Sequence, residues 1–592
     1  MPQLDLYDCT PSALQTSTSK YHKASKKWDL ADMREFRSLV LEHKVWDIQQ
    51  MPDGRRALSP KWIHLEKPDG TLKSRMCARG FNMVQGVDYD ETFSPVAKIA
   101  TYRIFLTLVA SYSLHTVALD VKTAFLNADM EHEVWMMPSE NLEHMYEKLM
   151  AASDITPEER KMLRKHMTAL NKGGMLLLLK ALYGTKNAGR LWYLDIDGFL
   201  KDERFEANKA DHCFYTLVIN DTDYVLLLLY VDDIIIAATT AALCAKYSAI
   251  INQKYRCSIL GELRQYLNIQ IEHDRDGKQI FLSQQQYIEA MIADFAEWVP
   301  RNNSITTPML ENLNLIATEE ETLNAKQSQW VFTFPYRKLV GTVLYLNVCT
   351  RPAISYAISM LAQFNNRPTF KSCTALVRLA QYVYNTREDR LVLGGGADRP
   401  TITAYSDSDW GGCRDTWMSR SGHIVYMGNG PVIWYSKKQT NTACSSCEAE
   451  YMFMSPCIQN INYARRIVNC AQIPHVKYRR SSGLWTDNTA AISVAAEPVL
   501  HQRTKHIGIK YQYANENIEN GTVHNAWIAS VLNWSDMMTK AQGRNLFGEQ
   551  YPYVMGGKPI PLVPNSQRTT EEDSLPCPHC SKSRQWREEP QL

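Results

Sequence analysis

The stretch LLLLYVDDIIIA, Leu226 to Ala237, places two adjacent acids, Asp232 and Asp233, inside an apolar run. Burying an unpaired carboxylate is costly, so these acids must lie at an exposed turn or face a cation. The branched apolar runs on either side have strand length and composition, which predicts a hairpin with Tyr-Val-Asp-Asp at its tight turn. Aspartate is common in turns, so the pair alone is weak evidence of chemistry.

A third acid, Asp120, interrupts the β-rich run TVALDVKTAFLN, Thr116 to Asn127. Nucleotidyl transfer needs carboxylates from separate elements to converge, so that two Mg²⁺ ions about 3.5 to 4 Å apart act on one phosphate. Magnesium prefers oxygen ligands and usually takes one or two protein carboxylates together with substrate phosphates. Asp120 and Asp232, if on neighbouring strands, would meet that demand, with Mn²⁺ as a possible substitute.

A second set of acids follows β-like segments or opens helical ones: AYSDSDWGG, SSCEAEYM, LWTDNTAAI and VLNWSDMMTK. These acids are Asp407, Glu448, Asp487 and Asp536. Any one of them would be unremarkable on a surface, but four in order suit two-Mg²⁺ hydrolysis of a phosphodiester. We interpret Asp409 and Glu450 as flanking polar residues.

The elements that position these acids belong to a long chain of ordinary globular composition. With 592 residues, 45% hydrophobic and 22% charged, it is too large for one core and suggests roughly three to five domains. The net charge of +2 argues neither for nor against a polyanionic partner. Between residues 139 and 174 the sequence predicts a surface insertion of two amphipathic helices, the second capped by Thr156 with Pro157 and Glu159 following.

The ends and the cysteines indicate an intracellular, not secreted, protein. The N-terminus has no charged segment followed by an apolar one, and no apolar run reaches the about 20 residues of a membrane span. The 14 cysteines show no repeated framework, which fits reduced thiols. Cys577 and Cys580 form a single CxxC, and an incidental motif is favoured over half a zinc site.

Four motifs occur in a specific order: RMCARGFNMVQGVDYDETFSPVAK, LDVKTAFLN, ALYGTKNAGRLWY and YVDD. This ordered set closely resembles the reverse transcriptase region of the Pol polyprotein of copia-type (Pseudoviridae) LTR retrotransposons, and the resemblance runs from Trp28 to about Lys540. It implies an α+β / α/β multidomain fold: a right-hand polymerase (fingers, palm, thumb), a connection segment and an RNase H-like α/β domain. The expected parts are an N-terminal extension (1–27), fingers, palm and thumb (28–300, insertion about 139–174), the connection (301–400), the RNase H-like domain (401–545) and a tail (546–592).

The resemblance also assigns roles to residues of this chain. It implies that Asp120 and Asp232 bind metal and that Asp233 supports the site. In the second domain the implied metal ligands are Asp407, Glu448, Asp487 and Asp536.

The implied nucleotide-binding residues are Lys73, Arg75, Phe125, Tyr183 and Gly184. Lys73 and Arg75 would neutralise the incoming triphosphate, and Phe125 would exclude a ribose 2′-hydroxyl. The backbone of Tyr183 and Gly184 would lie under the template or incoming base. Phe125 could instead be a core aromatic, and the two cations a solvated hairpin edge. Gln284 and Tyr287 are structural or primer-grip candidates.

The implied function is to copy RNA into DNA and to degrade the RNA of the resulting hybrid, using two Mg²⁺ ions per site. The partners would be an RNA template, a DNA primer, an RNA–DNA hybrid and dNTPs, with no membrane; the oligomeric state stays open. The implied location is a cytoplasmic virus-like particle, the nucleus or both. The alternative is a degenerate remnant that folds and binds nucleic acid without catalysis, favoured by departures from the family pattern at Thr185, Gly189, Asn268, Ala353 and Gly508.

Overall fold

A computed structural model describes residues 27–67, 69–316, 321–395, 400–474, 476, 481–496 and 508–560. The predicted N-terminal extension up to residue 26, the basic run at 477–480 and the CxxC motif at 577–580 lie outside the described residues. Within the described part, no helix has both the length and the apolar character that a membrane crossing requires.

The first part of the chain builds a four-stranded sheet and a separate hairpin. Its elements are α1 (Asp29–Arg37), β1 (Trp46–Gln49), β2 (Ala57–Leu58), β3 (Pro60–Glu66), β4 (Leu72–Ala78), α2 (Ile99–Ser111), β5 (His115–Val121), β6 (Asp129–Met136), α3 (Leu142–Ala151), α4 (Pro157–Leu170) and β7 (Met175–Lys180). The sheet has the order β1-β7-β6-β2, and β3 pairs with β4 as a two-stranded hairpin.

The two helices expected between residues 139 and 174 are α3 and α4. The Thr156 side chain accepts from the Glu159 backbone and the Glu159 side chain accepts from the Thr156 backbone, so the predicted capping box is confirmed. The helices are not a surface attachment, however. Their apolar faces enter the core of the four-stranded sheet, where the buried Tyr146 hydroxyl meets Trp46 Nε1 at 3.1 Å and His166 Nδ1 at 3.0 Å.

The middle of the chain forms a six-stranded sheet, called here the central sheet. Its elements are α5 (Ala188–Asp202), β8 (Glu206–Ala207), β9 (Phe214–Val218), β10 (Tyr224–Tyr230), β11 (Asp233–Ala238), α6 (Ala241–Tyr255), β12 (Cys257–Gly261), β13 (Gln265–Tyr266), β14 (Ile269–Asp274), β15 (Gln279–Ser283) and α7 (Gln285–Asp294). The order β12-β5-β11-β10-β9-β8 puts β10 and β11 inside the sheet. Every residue of β10 is buried, as its unbroken apolar run requires.

The last part of the chain is helical and then forms a five-stranded mixed sheet, called here the C-terminal sheet. Its elements are α8 (Ala325–Thr333), α9 (Tyr336–Cys349), α10 (Ser355–Leu361), α11 (Phe370–Asn385), β16 (Leu391–Gly394), β17 (Ile402–Asp409), β18 (Arg420–Met427), β19 (Gly430–Lys438), α12 (Ser446–Cys470), β20 (Ser482–Thr486), α13 (Thr489–Ala496), α14 (Gly508–Glu519), β21 (Val523–Trp527), α15 (Asp536–Thr539) and α16 (Arg544–Val554). The order is β19-β18-β17-β20-β21, with β17, β20 and β21 parallel.

Two of the expected domain boundaries are not breaks in the structure. Strand β16 pairs with β15, so the end of the expected connection belongs to the sheet β13-β14-β15-β16. The expected tail from residue 546 begins inside α16, whose Phe547 ring packs on Tyr382 at 5.8 Å. Beyond this helix, Met555 accepts a hydrogen bond from the Val392 backbone at 2.9 Å. Aromatic packing and this backbone hydrogen bond therefore tie the residues after 546 to the rest of the fold.

A pair of glycines joins the β3–β4 hairpin to the segment between β7 and α5. The Ala78 amide donates to the Tyr183 carbonyl at 2.8 Å, and the Gly80 amide donates to the Gly184 carbonyl at 3.1 Å. Gly184 has φ +86°, and a Cβ added there would lie 2.2 Å from the Ala78 carbonyl oxygen. The contact therefore excludes any side chain at Gly184.

We expect Gly184→Ala to destabilise the fold by more than about 2 kcal/mol, because it adds a backbone clash to a left-handed conformation. The matched control is Gly70→Ala, which has φ +79° but open space around the new Cβ. It should cost only about 1 kcal/mol. Urea unfolding of both variants measures the difference, and equal losses would contradict the steric argument.

Candidate active sites

The Tyr-Val-Asp-Asp stretch forms the tight hairpin that the sequence predicts. In the β10–β11 pair Tyr230 is opposite Asp233, so Val231 and Asp232 form a two-residue turn. Asp233 is also directly opposite Asp120 on β5. The prediction that Asp120 and the acid pair lie on neighbouring strands is therefore confirmed, and all three acids lie at one end of the central sheet.

These three acids are partly buried and repel one another. The pKa of Asp233 is raised to about 7, first by burial and then by the charges of Asp232 and Asp120. Crowded carboxylates of this kind are relieved by a cation. Hard oxygen ligands on adjacent strands suit Mg²⁺ or Mn²⁺.

The two cations among the predicted nucleotide-binding residues lie on β4. Lys73 and Arg75 are both exposed, and they share one side of the strand because they are two residues apart. Burial of part of its stem lowers the pKa of Lys73, the charge of Arg75 adds to this, and the charge of Asp120 opposes it. The two cations are therefore near the acids but free to meet a phosphate.

Two neighbouring aromatic rings, those of Phe125 and Tyr183, lie beside Arg75. The centre of the Tyr183 ring is 6.0 Å from that of Phe125. The Arg75 guanidinium lies 5.0 Å from the centre of the same Tyr183 ring. Both rings are only partly buried. Phe125 is therefore not simply a core aromatic. Burial raises the pKa of Tyr183, and the charge of Asp232 contributes to that shift.

Sequence reasoning missed Glu35, on α1, beneath the same cations. Its carboxylate accepts a hydrogen bond from the Met76 backbone at 3.3 Å, which ties α1 to β4. Burial raises the pKa of Glu35 to about 7, although Arg75 and Lys73 act in the opposite direction. The sequence of α1 alone does not show that Glu35 is buried, because its burial depends on the packing of α1 against β4.

The two primer-grip candidates are structural. Gln284 is buried and accepts a hydrogen bond from the Thr350 hydroxyl at 2.7 Å. Tyr287 is also buried, and its hydroxyl reaches the Thr342 carbonyl at 3.4 Å. Both side chains hold α7 against α9, which favours the structural role for them.

The second acidic cluster lies near the carboxyl ends of two inner strands of the C-terminal sheet, β17 and β20. Asp407 is on β17, Asp487 directly follows the parallel neighbour β20, and Asp536 opens α15. One carboxylate oxygen from each lies within 4.8 Å of the others. Burial and then the charge of Asp407 raise the pKa of Asp536 to about 8, while Lys540, 2.9 Å away, lowers it.

The fourth acid beside this cluster is Glu450, whereas the sequence assigned Glu448. Glu450 is buried, and burial and then the charge of Asp407 raise its pKa well above the usual range. Glu448 instead accepts a hydrogen bond from the Cys444 backbone at 2.7 Å, and its own amide donates to the Ser445 hydroxyl. Residues two apart on a helix face different ways, so only one of them can reach the sheet.

The helical period contained a signal for Glu450. Met454, Cys457 and Ile461 are all fully buried, and they follow Glu450 at spacings of four, seven and eleven residues. This spacing marks one face of a helix. Extending the apolar face of α12 back by one turn therefore reaches Glu450 before Glu448.

The residues of the second cluster fit a divalent cation. Among the described residues, Glu450 Oε2 and Asp536 Oδ1 are buried oxygens without a hydrogen-bond donor. An unsatisfied buried carboxylate oxygen is costly unless a cation binds it. Carboxylate oxygens are the ligands that Mg²⁺ prefers.

Comparison with known proteins agrees with the first site. Residues 43–150 and 168–311 match the family model "Reverse transcriptase (RNA-dependent DNA polymerase)". The chain is 30% identical over 525 residues to the retrovirus-related Pol polyprotein from transposon TNT 1-94 of Nicotiana tabacum, covering 87% of this chain and 37% of the relative. It is 30% identical over 535 residues to that from transposon RE1 of Arabidopsis thaliana, covering 88% and 33%.

The chain contains a reverse transcriptase domain and is similar over most of its length to the Pol polyproteins of copia-type transposons. A more distant relative is the transposon Ty1-ER2 Gag-Pol polyprotein of Saccharomyces cerevisiae, 25% identical over 547 residues, covering 88% of this chain and 28% of the relative. The chain thus spans about a third of the length of these curated relatives. The gap in the family match, residues 151–167, falls within the expected insertion.

Four of the departures from the family pattern are accommodated locally in this chain. The Thr185 hydroxyl donates to the Leu182 carbonyl at 2.9 Å, and a Cβ at Gly189 would make only ordinary contact with Ser94. Asn268 has φ +55°, a left-handed conformation that asparagine tolerates. Ala353 is a small residue in a buried turn. Gly508 opens α14, and nothing is described of its surroundings.

We expect Glu35→Gln to stabilise the fold at pH 8 and to have little effect near pH 4, below the ordinary pKa of the carboxyl. A pKa raised from 4.5 to about 7 means that the folded state holds the proton more tightly than the unfolded chain. Stability is therefore lost as the pH rises through that range, and the variant removes the loss. The gain should be about 1 to 2 kcal/mol by urea unfolding. The exposed Glu140→Gln is the control, and a gain independent of pH would contradict the argument.

Proposed function

We propose that the chain is an RNA-directed DNA polymerase that also acts as a ribonuclease H on RNA–DNA hybrids, with two Mg²⁺ ions at each site. The observation that carries the polymerase proposal is the convergence of Asp120, Asp232 and Asp233 at one end of the central sheet. The proposed substrates are dNTPs, an RNA template and a DNA primer. In this proposal the central sheet is the palm, and the β3–β4 hairpin belongs to the fingers.

In the polymerase site Asp120 and Asp232 would hold the metal. When bound, its positive charge would stabilise the negative charge on the attacking hydroxyl oxygen and on the leaving pyrophosphate. Asp233 supports them from the adjacent strand position. Lys73 and Arg75 bind the triphosphate, and their exposure and shared side of β4 support that role. Phe125 and Tyr183 form an aromatic floor that orients the base and sugar.

In the ribonuclease site we propose Asp407, Glu450, Asp487 and Asp536 as the metal ligands. The three clustered aspartates and the two unsatisfied oxygens of Glu450 and Asp536 support this set. The bound metal would supply charge to water and to the departing 3′-oxygen. The Thr539 hydroxyl donates to Asp407 and orients its carboxylate, and Lys540 balances part of the charge.

A catalytically poor remnant that binds duplex without copying it is the second candidate. It was favoured by the five departures from the family pattern. The local accommodation of Thr185, Gly189, Asn268 and Ala353 weakens that argument, because none of them disturbs an acid of either site.

The polymerase proposal is tested by dNTP incorporation on poly(rA)/oligo(dT) with Mg²⁺. We expect Asp120→Asn and Asp232→Asn each to lower the rate at least about 100-fold, because a ligand of the reacting charges is lost. Asp221→Asn, at an exposed acid on the opposite end of β10, should leave the rate unchanged. A folded wild-type chain that binds the duplex and incorporates nothing would favour the remnant.

The ribonuclease proposal is tested by release of labelled RNA from an RNA–DNA hybrid. Glu450→Gln should lower the cleavage rate at least about 100-fold, whereas Glu448→Gln should change it less than about 3-fold. Glu448→Gln should instead cost at most about 1 kcal/mol of stability, because glutamine still accepts from the Cys444 amide and only a negative charge at the helix N-terminus is lost. Both variants should retain polymerase activity. A larger cleavage defect in Glu448→Gln would restore the original assignment of the fourth acid.

A further inference from the structure

The hairpin turn that presents Asp232 has an unfavourable backbone conformation. Val231 has φ +57°, in the left-handed region. This region is unfavourable for β-branched residues, and such a residue stays there only when its surroundings hold it. The turn therefore needs contacts from outside the hairpin.

Two hydrogen bonds from neighbouring elements hold the two carbonyl groups of the turn. The Trp192 indole nitrogen donates to the Val231 carbonyl at 2.6 Å. The Val121 amide, next to Asp120, donates to the Asp232 carbonyl at 2.8 Å. The first bond fixes the backbone that precedes Asp232. The second fixes the backbone that follows it, next to Asp120.

Trp192 itself has little freedom to move. Its side chain is 1% exposed, and its ring meets the edge of Tyr255 at 5.1 Å. It lies on α5, which begins four residues after Gly184 and packs against the 3-10 turn Ala124–Asn127 that carries Phe125. The same helix therefore touches both the turn and the segment that carries Phe125.

We propose that Trp192 is a positioning residue of the polymerase site: its indole N–H holds the Val231 carbonyl, which keeps the turn left-handed and directs Asp232 toward Asp120. The inference rests on the proposed polymerase function. Without this hydrogen bond the turn relaxes, and the separation of the two metal-binding carboxylates is no longer fixed. The role is to orient the acids, and Trp192 touches no substrate.

The test is Mn²⁺ binding, followed by electron paramagnetic resonance of the free ion. The second cluster is first neutralised by Asp407→Asn and Asp536→Asn, and Asp232→Asn in this background identifies binding at the first site. Trp192→Phe keeps a buried ring and removes the donor. We expect it to weaken Mn²⁺ binding about 3- to 10-fold, the loss of one buried hydrogen bond. The KM for dNTP should rise by a similar factor.

The same substitution in a Val231→Gly chain shows whether the turn is the link. Glycine adopts the left-handed conformation without steric cost, so the hydrogen bond matters less there. We expect Trp192→Phe to weaken Mn²⁺ binding less than about 2-fold in that chain. An equal loss with Val231 and with Gly at this position would overturn the inference.

Tyr255→Phe is the matched control in the same aromatic cluster. It removes the hydrogen bond from the Tyr255 hydroxyl to the Asp195 carbonyl and leaves the turn untouched. It should lower the melting temperature without changing Mn²⁺ binding. If Trp192→Phe behaves in the same way, Trp192 only packs the core and the inference is wrong.

Two further provisions keep the outcomes distinct. If Trp192→Phe does not fold, site-specific replacement of Trp192 by benzothienylalanine keeps the indole shape, removes the N–H and makes the same comparison. If the wild-type chain incorporates no dNTP, the proposed polymerase function fails, and the Mn²⁺ titration still decides the role of Trp192.

Discussion

Repulsion among carboxylates held close together and partly away from water is the constraint on which both candidate sites depend. Two unit charges 4 Å apart interact by about 4 kcal/mol at an effective dielectric constant of 20. The scaffold must hold them there by other means. At the first site β10 and β11 supply a buried apolar hairpin, and each fully buried leucine or isoleucine contributes roughly 1.5–3 kcal/mol. The acids can therefore stay close in the absence of a cation.

A second buried charge joins the regions that carry the two sites. Arg103 on α2 is fully buried, and its guanidinium donates to the carbonyl groups of Val348, Cys349 and Val432. It also lies 3.7 Å from the Trp434 ring on β19. Burial lowers the pKa of Arg103 to about 9, which is still high enough to keep it charged at neutral pH. Because α2 supports the central sheet and β19 belongs to the C-terminal sheet, one side chain fixes both against α9.

The sequence predicted what depends on local pattern. The Tyr-Val-Asp-Asp hairpin and the Thr156 cap each follow from a few adjacent residues, and Asp120 could be placed on a neighbouring strand by its β-rich run. The sequence assigned the fourth acid to Glu448 and not to Glu450 because motif order cannot separate two glutamates two residues apart. Only the direction of the α12 face does so, and that face is set by packing on β17.

Long-range contacts were the other limit. The tail predicted from residue 546 includes most of α16, because this short helix has only a weak apolar pattern. Its place in the fold depends on the packing of Phe547 against Tyr382. Glu35 and Trp192 were missed for a related reason. Each acts on a residue about 40 positions away, Met76 in one case and Val231 in the other. A single sequence contains no spacing rule that joins such partners.

The two acidic clusters differ in where their balancing charge comes from. Lys540 is four residues after Asp536 and bonds to it within one short helical segment, so the second cluster has its own cation. The first cluster faces Lys73 and Arg75 on β4. This strand pairs only with β3, in a separate two-stranded hairpin. That hairpin is anchored at its base, where Gly80 and Gly184 interlock, while its cations are exposed farther along β4. A triphosphate that binds both the cations and the metal at the acids would therefore complete the first site, whereas the second is largely assembled by the protein alone.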